Sequence, residues 1–527
     1  MTSAVDYHRA TAHVRDRLGG RELDWAHRPT VFKRYPQGVV AQQLALPPCA
    51  FATAQSVQSL QSLPMLLRGS PVLAGRPTAQ HLSNVLGLAG GITRTGAHGG
   101  GLFHFRTWAS AGGLFPCEVY LALGPVWESA GIAPGLWHYQ PDAHRLAQLR
   151  HGDALGVAAM AAGLPDSSTR STRLAAVVCI TTIFHRTAWK YGERAYRYLL
   201  LDAGHLAENL LLGLWLEGFA PMWAGDFKDD AMNALLGVDG EREACLLAIP
   251  FFTGDTPDDF AALPAPVGPL GDFANREAVQ EASRCAHVER LWPVLLGVHR
   301  AGVIEMRFLG RPQDAPPPAP EALFEDAPRA PLPLPEASAV HADRLWPSVS
   351  RTILGRRSHR RFAAVPVPVA TFQSFCHLLC ERSLQDRGTR NVVLVLGIRQ
   401  IETMQDGVYV LDRDRRSLGL LQAGAPHEAL ARACLGQTWM QRAAVQLCMV
   451  ADLADCEARW GARAYRALGL AAGRLGQRAY LAATSLGWGA CGVGAFFDDE
   501  AAAVLRLRQD ARLLYAVSAG PLSDMGP

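Results

Sequence analysis

An arginine-rich segment, Arg356–Phe362, has the side chains needed to bind a phosphate. In an extended chain Arg356, Ser358 and Arg360 alternate, so all three would face one side. Two guanidinium groups and a hydroxyl could then hold one phosphate through charge-assisted hydrogen bonds. A solvated basic turn is the alternative, and composition alone favours it.

Lys190 is a candidate acid or base because lysine is rare in this chain. The sequence has 48 arginines and only three lysines, the others being Lys33 and Lys228. Where arginine is the usual cation, a retained lysine indicates that a compact ammonium group or its neutral amine is needed. The neighbouring Tyr191 could donate or accept a proton. A surface Lys-Tyr pair at the start of a helix is the alternative.

These residues are positioned by a sequence that repeats itself. A shift of 269 positions aligns residues 192–230 with 461–499 without a gap and with 16 identities in 39. The β-branched run Leu174–Ile180 predicts a buried strand, and leucines at helical spacing predict a long helix from Tyr196 to Leu216, which Gly218 would end. Tandem copies of a fold often imitate a two-fold dimer.

A proline-rich segment separates the two copies. Nine prolines lie between residues 312 and 335, which predicts a linker or surface crossing and not a core element. The predicted organisation is an N-terminal extension (1–50), a first domain (51–265), a helical segment with the proline-rich linker (266–340) and a second domain (341–527).

Composition argues against several classes of function. The net charge of +3, from 51 basic and 48 acidic residues, is too small to bind nucleic acid through counterion release. Residues 1–21 lack the apolar core of a signal peptide, and the apolar run 174–184 is shorter than the ~18 residues of a membrane span. We therefore expect a cytoplasmic protein that does not bind membranes. We also expect reduced core cysteines, no metal site, and His8 and His13 on the surface.

Together the segments resemble the FMN-dependent nitroreductase superfamily, whose units open with an Arg-x-Ser-x-basic segment such as 356–360. The sequence is most similar to the SagB-type branch, the azoline dehydrogenases of thiazole- and oxazole-containing peptide maturation. Residues 23–36 resemble its N-terminal signature, Ser110–Pro116 its flavin-contacting loop, and Lys190–Tyr198 its most characteristic motif. The fold class that this implies is α+β: two tandem nitroreductase-like domains, each a mixed β-sheet flanked by helices, forming an intramolecular pseudo-dimer.

The resemblance implies one complete FMN site per chain, because the two copies have lost complementary parts. The implied cofactor-binding residues are Arg356, Ser358, Arg360, Cys491, Gly492, Val493 and Gly494 from the second copy and Ser110, Ala111, Gly112 and Gly113 from the first. The Cys491–Gly494 stretch would be a loop along the flavin ring. A mirrored site would have Val72 in place of a phosphate-binding cation, Met222–Ala224 in place of the ring-side glycines, and Arg459-Trp460 in place of Lys190-Tyr191. We expect it to be empty.

In this branch the Lys-Tyr pair is implicated in catalysis, so the resemblance makes Lys190 the base and Tyr191 its proton-handling neighbour. The implied reaction is a two-electron dehydrogenation of a thiazoline or oxazoline in a peptide or small molecule, with dioxygen as final acceptor and a cyclodehydratase-type partner. Two other functions stay open. One is NAD(P)H-dependent reduction of a nitroaromatic or quinone, and the other is a scaffold role for a degenerate duplicate. Further oligomerisation also stays open.

Overall fold

The computed structural model describes residues 3–20, 22–52, 61–68, 76–98, 101–164, 174–253, 268–305, 319–329, 331–336, 346–381 and 386–523. The chain divides into two compact units. The first unit comprises residues 23–61 and 69–311, and the second comprises residues 1–22, 62–68 and 312–527. Each copy of the repeat therefore lies in its own unit.

The first unit is built on a seven-stranded sheet with the order β1-β6-β5-β4-β7-β9-β8. Its strands are β1 (Gln42–Ala45), β4 (Cys117–Leu123), β5 (Gly135–Gln140), β6 (Arg145–His151), β7 (Leu174–Ile183), β8 (Phe219–Pro221) and β9 (Glu243–Thr253), and β2 (Ile92–His98) and β3 (Gly101–Arg106) form a separate hairpin. Its helices, numbered along the whole chain, are α3 (Ala79–Gly90), α4 (Ala154–Ala161), α5 (Phe184–Tyr191), α6 (Ala195–Leu216), α7 (Asp229–Leu236), α8 (Arg276–Glu281) and α9 (Pro293–Ala301).

The second unit repeats this architecture, with the strand order β10-β13-β12-β11-β14-β16-β15. Its strands are β10 (Leu332–Pro333), β11 (Val393–Ile398), β12 (Gly407–Asp412), β13 (Ser417–Ala423), β14 (Val445–Asp452), β15 (Gly489–Val493) and β16 (Ala511–Gly520). Its helices are α1 (Ala4–Ala10), α2 (Leu63–Arg68), α10 (Val349–Gly355), α11 (Val369–Cys380), α12 (Arg387–Asn391), α13 (His427–Ala433), α14 (Leu453–Trp460), α15 (Arg463–Ser485) and α16 (Asp498–Val504). Every pairing between described strands of the two sheets is antiparallel, which refines the predicted mixed sheet.

A long buried helix lies against each sheet, as the repeat predicts. Every residue of α6 from Ala195 to Leu214 is buried, and Gly218 follows its end with φ +80°. By length and composition Phe184–Leu216 could cross a membrane, but 89% of its most apolar window is buried inside the protein, as in a core helix. The predicted strand Leu174–Ile180 lies within β7.

The N-terminal helix α1 is part of the core of the second unit. His8 is only 2% exposed, and its ring nitrogens lie 3.1 Å from the Tyr465 hydroxyl and 3.2 Å from Asp498. The expectation that His8 decorates the surface is therefore wrong, because α1 packs on α14 and α15. In the first unit α9 takes the equivalent place, with His299 lying 3.2 Å from the hydroxyl of Tyr196.

The described part of the proline-rich segment also contributes to the second unit. Leu323 and Phe324 are buried in its core, and Leu332–Pro333 form β10, which pairs with β13. The prediction that this stretch holds no core element is wrong, because the apolar side chains between the prolines fill the space beside the sheet. The predicted domain boundaries stay a prediction, and much of the stretch between the units lies outside the described residues.

Candidate functional site

The glycine-containing loop of the first unit is held by a buried carboxylate. Ala111–Gly113 form a single 3₁₀ turn before β4, and Gly112 has φ +66°, a conformation that favours glycine. The Ser110 hydroxyl donates to Asp202 Oδ2 at 2.5 Å, and the Ala111 N–H donates to Oδ1 at 3.1 Å. The Phe115 N–H donates to Ser110 Oγ at 2.9 Å, so both ends of the loop are tied.

Gly112 presents an accessible backbone donor. Of the five amides from Ala111 to Phe115, four donate hydrogen bonds within the described part of the chain, and the exception there is the exposed Gly112. The negative charge that develops on a reduced flavin needs such donors, and glycine lets the backbone approach closely. The loop therefore fits the flavin-contacting role that the resemblance implies.

Lys190 and Tyr191 lie directly against this loop. They end α5, and a Cβ added at Gly112 would lie 2.9 Å from Tyr191 Oη and 3.3 Å from Lys190 Nζ. Lys190 is exposed, with its ammonium 5.4 Å from the centre of the Tyr191 ring. The structure thus brings two separately predicted segments together in one unit.

The segment that resembles an N-terminal signature packs against the same helix. The indole N–H of Trp189 donates to the carbonyl of Asp24 at 2.9 Å, and the ring of Trp25 stacks edge-on against it, with centroids 5.4 Å apart. Further along this segment, Lys33 is buried beside Glu243. The segment therefore supports the helix that carries Lys190.

In the second unit the predicted phosphate segment runs beside the edge strand β15. Ser358 forms a parallel bridge with Ala490, and its hydroxyl lies 3.1 Å from the hydroxyl of Tyr480. The Arg356 guanidinium lies 5.4 Å from the centre of the Tyr480 ring, and the Arg360 guanidinium lies 5.6 Å from the centre of the Trp439 ring. Arg356 and Ser358 thus both lie at Tyr480, and the grouping of all three side chains on one face stays a prediction.

The stretch Cys491–Val493 is a strand and not the predicted loop. It pairs with β16, because its small residues let the two backbones approach and hydrogen-bond, and Gly494 follows the strand. The Gly492 N–H donates to Tyr480 Oη at 2.6 Å, and a Cβ at this position would collide with the hydroxyl of Tyr515. The two predicted segments of this unit are therefore joined through Tyr480.

Arg356 is a buried cation. Burial lowers the pKa of Arg356 to about 10, because the guanidinium loses its hydration and Arg357 lies beside it. By contrast, buried Arg186 loses its hydration too, yet Glu118 at 2.6 Å raises its pKa. A phosphate beside Arg356 would raise the pKa of its guanidinium in the same way.

The residues that stand in place of the lost parts have other roles or lie outside the described residues. Arg459, which aligns with Lys190, donates to Asn391 at 2.6 Å and also binds Asp455, so it ties α14 to its neighbour. Met222 donates its N–H to the Pro250 carbonyl at 2.8 Å and extends the sheet edge. Val72 lies outside the described residues.

Sequence reasoning missed Asp202 and Tyr480, which join the predicted segments. Both lie on the long repeated helices and are buried, at 3% and 2% exposure. A carboxylate in a leucine-rich helix needs partners, and that was the available signal for Asp202. No comparable signal marks Tyr480, because a buried tyrosine in a helix is ordinary.

Comparisons with known proteins agree with this architecture. Residues 77–254 and 398–520, more than half of the chain, match the nitroreductase family. A crystal structure from Anabaena variabilis, described as a nitroreductase, covers 99% of this chain with a TM-score of 0.73 and 23% identity, which shows the fold. All of that protein is covered. The predicted fold class of two tandem nitroreductase-like domains is confirmed.

Two curated relatives share part of the chain. The Methanocaldococcus jannaschii protein MJ1384 is named a nitroreductase. It is 29% identical to this chain over 177 residues, which are 33% of this chain and 79% of MJ1384. The Escherichia coli microcin B17-processing protein McbC is 28% identical over 156 residues, or 29% of this chain and 56% of the relative. The matched region thus spans about half of McbC, and the predicted resemblance is confirmed.

Proposed function

Because this chain belongs to the nitroreductase family, we propose that it is an FMN-dependent dehydrogenase of the SagB type. Its substrate would be an azoline or related group in a peptide or small-molecule natural product. The observation that carries the proposal is the exposed Gly112 amide beside Lys190 and Tyr191. The relationship to a microcin-processing protein supports the substrate class.

We propose that residues of both units serve one FMN. Arg356, Ser358 and Arg360 would bind its phosphate, while Cys491–Gly494 and Ser110–Gly113 would lie along its ring. The desolvated guanidinium of Arg356 and the available amide of Gly112 support this assignment. When bound, FMN accepts the two electrons that the substrate gives up.

Lys190 would remove the acidic C–H proton of the substrate, and Tyr191 would exchange protons with it. The amine must be neutral to accept a proton. Lys190 is exposed, so the desolvation that favours a neutral amine would have to come from bound cofactor and substrate. Because Lys190 lies next to the loop, its amine would stay close to the reacting carbon of a substrate bound there.

The first test is the substitution Lys190→Gln with azoline oxidation and bound FMN measured together. We expect turnover to fall by at least about a hundredfold, the usual contribution of a general base, while FMN stays bound. Lys228→Gln is the matched control, since Lys228 is an exposed lysine of the same unit. Unchanged turnover in the Lys190 variant would refute the assigned role.

The number of FMN molecules per chain tests the shared site. One flavin per polypeptide supports it, and two tightly held flavins would contradict it. A protein that stays colourless with excess FMN would point to the scaffold role.

The similarity to MJ1384 supports a second candidate, an NAD(P)H-dependent reductase of nitroaromatics or quinones. Such an enzyme transfers electrons to an external acceptor without removing a substrate C–H proton, so Lys190→Gln should hardly change its rate.

In the dehydrogenase proposal the chain would work in the cytoplasm with a cyclodehydratase-type partner. Co-purification of the two proteins would test this partnership.

A further inference from the structure

We propose that Asp202 is a positioning residue that sets the Ser110–Phe115 loop so that the Gly112 amide and the Lys190-Tyr191 pair face the same ligand. The identity of the ligand rests on the proposed function, whereas the geometry of the loop does not. Asp202 touches neither Lys190 nor Tyr191 among the contacts that the structure records, so it would act through the loop.

The geometry shows a carboxylate used as a clamp. Its two oxygens accept separately from the Ser110 hydroxyl and the Ala111 N–H, and the same hydroxyl accepts from Phe115. These three bonds fix both ends of a turn whose middle residue, Gly112, is exposed. Without the clamp, a loop with two glycines at positive φ would have many other conformations.

The repeat gives an independent observation. Asp202 aligns with Ala471 in the second copy, which also lacks the Ser-Ala-Gly-Gly loop. The helix around this position is otherwise retained, since Ala203 and Gly204 align with Ala472 and Gly473. The carboxylate is thus present where the loop is present and absent where the loop is absent.

Burial of this carboxylate is costly, which argues that it is not incidental. Burial raises the pKa of Asp202 to about 7, although the bonds from Ser110 and Ala111 act in the opposite direction. Burial and the charge of Asp202 raise the pKa of the Cys117 thiol on β4. A buried acid at such cost is expected where it performs a positional task.

The decisive experiment measures hydrogen exchange of the loop in the full chain without FMN. We expect Asp202→Leu to speed exchange of the Ala111 and Phe115 amides by about tenfold, the loss expected from one or two hydrogen bonds. Asp202→Asn should restore part of the protection, because its amide oxygen can still accept from Ala111. Unchanged loop exchange in a folded Asp202→Leu protein would overturn the proposal.

Glu217→Gln is the matched control. Glu217 follows the same helix, and burial raises its pKa to about 7 as well, but its partners are Asn84 and His81 and not the loop. We expect no change in loop exchange in this variant. Equal effects of the two substitutions would mean a general loss of stability and would also overturn the proposal.

FMN titration then tests the connection to the ligand. If Asp202 acts through Ser110, then Asp202→Asn and Ser110→Ala should each weaken FMN binding, and the double variant should be no weaker than the more affected single one. Additive losses would contradict action through the loop. A wild-type chain that binds no FMN would defeat the proposed function, while the exchange experiment would still decide the role of Asp202.

Discussion

The Nζ atom of Lys33 lies 2.7 Å from the carboxylate of Glu243, with both side chains fully buried. The same ammonium donates to the hydroxyls of Tyr120 at 2.8 Å and Ser283 at 2.9 Å. Three donors therefore meet three acceptors, a geometry that a tetrahedral ammonium satisfies and a planar guanidinium does not. This explains why one of the chain's three lysines is retained at position 33.

Replacing Lys33 should destabilise the first unit strongly. Lys33→Met leaves a buried carboxylate without its cation, which costs about 3–5 kcal/mol of unfolding free energy. Lys33→Arg should fail to rescue it, because the larger planar group does not fit the same three acceptors. Urea unfolding measures both, with Lys228→Met as an exposed control. A Lys33→Arg protein as stable as wild type would contradict this explanation.

Gly112→Ala should impair the site far more than it impairs the fold. The new methyl group would carry the strain of a positive φ, about 1 kcal/mol, and would crowd Tyr191 Oη at 2.9 Å. Gly131→Ala is the control, since its φ of +74° is similar but nothing lies within 4 Å of the added atom. We expect both variants to lose similar stability and only Gly112→Ala to lose turnover of the azoline, as steady-state kinetics would show.

The elements that the sequence predicts well are those with a local pattern. Leucine spacing predicts α6, a β-branched run predicts β7, and a glycine predicts the end of each long helix. The structure has all of these features at the predicted places. The constant offset of the repeat predicts two units of one architecture, since an ungapped shift preserves every element. Local alternation brought Arg356 into consideration as a site residue, and the family resemblance brought Ser110.

What the sequence does not predict depends on contacts between distant segments. His8 lies more than 450 residues from Tyr465 and Asp498, so nothing near it indicates its burial. Likewise Cys491–Val493 reads as a glycine-rich loop until the pairing with β16 is known. Asp202 matters because a loop 92 residues earlier folds onto it.

Tyr480→Phe should weaken cofactor binding in the second unit. The Tyr480 hydroxyl joins Ser358 Oγ to the Gly492 N–H, so its loss would leave that amide without its acceptor and free the phosphate segment. We expect FMN affinity to fall by about tenfold, the effect of losing one such bond. Tyr465→Phe is the control, because its hydroxyl on the same helix contacts His8. It should lower stability without changing FMN affinity, and flavin fluorescence titration would show the difference.

The wild type should lose stability relative to Asp202→Asn as pH rises toward neutrality, because Asp202 binds its proton more tightly in the folded than in the unfolded state. Its pKa is raised from 3.8 to about 7 by burial. The resulting stability is fully present below about pH 4 and is lost as pH rises through about 7. Asp202→Asn cannot ionise, so relative to wild type it should gain stability between about pH 4 and pH 7. Urea unfolding across this range measures the gain, and Glu217→Gln should show a similar trend because burial also raises its pKa to about 7. A wild-type unfolding free energy that rises as steeply as that of Asp202→Asn over this range would contradict the raised pKa.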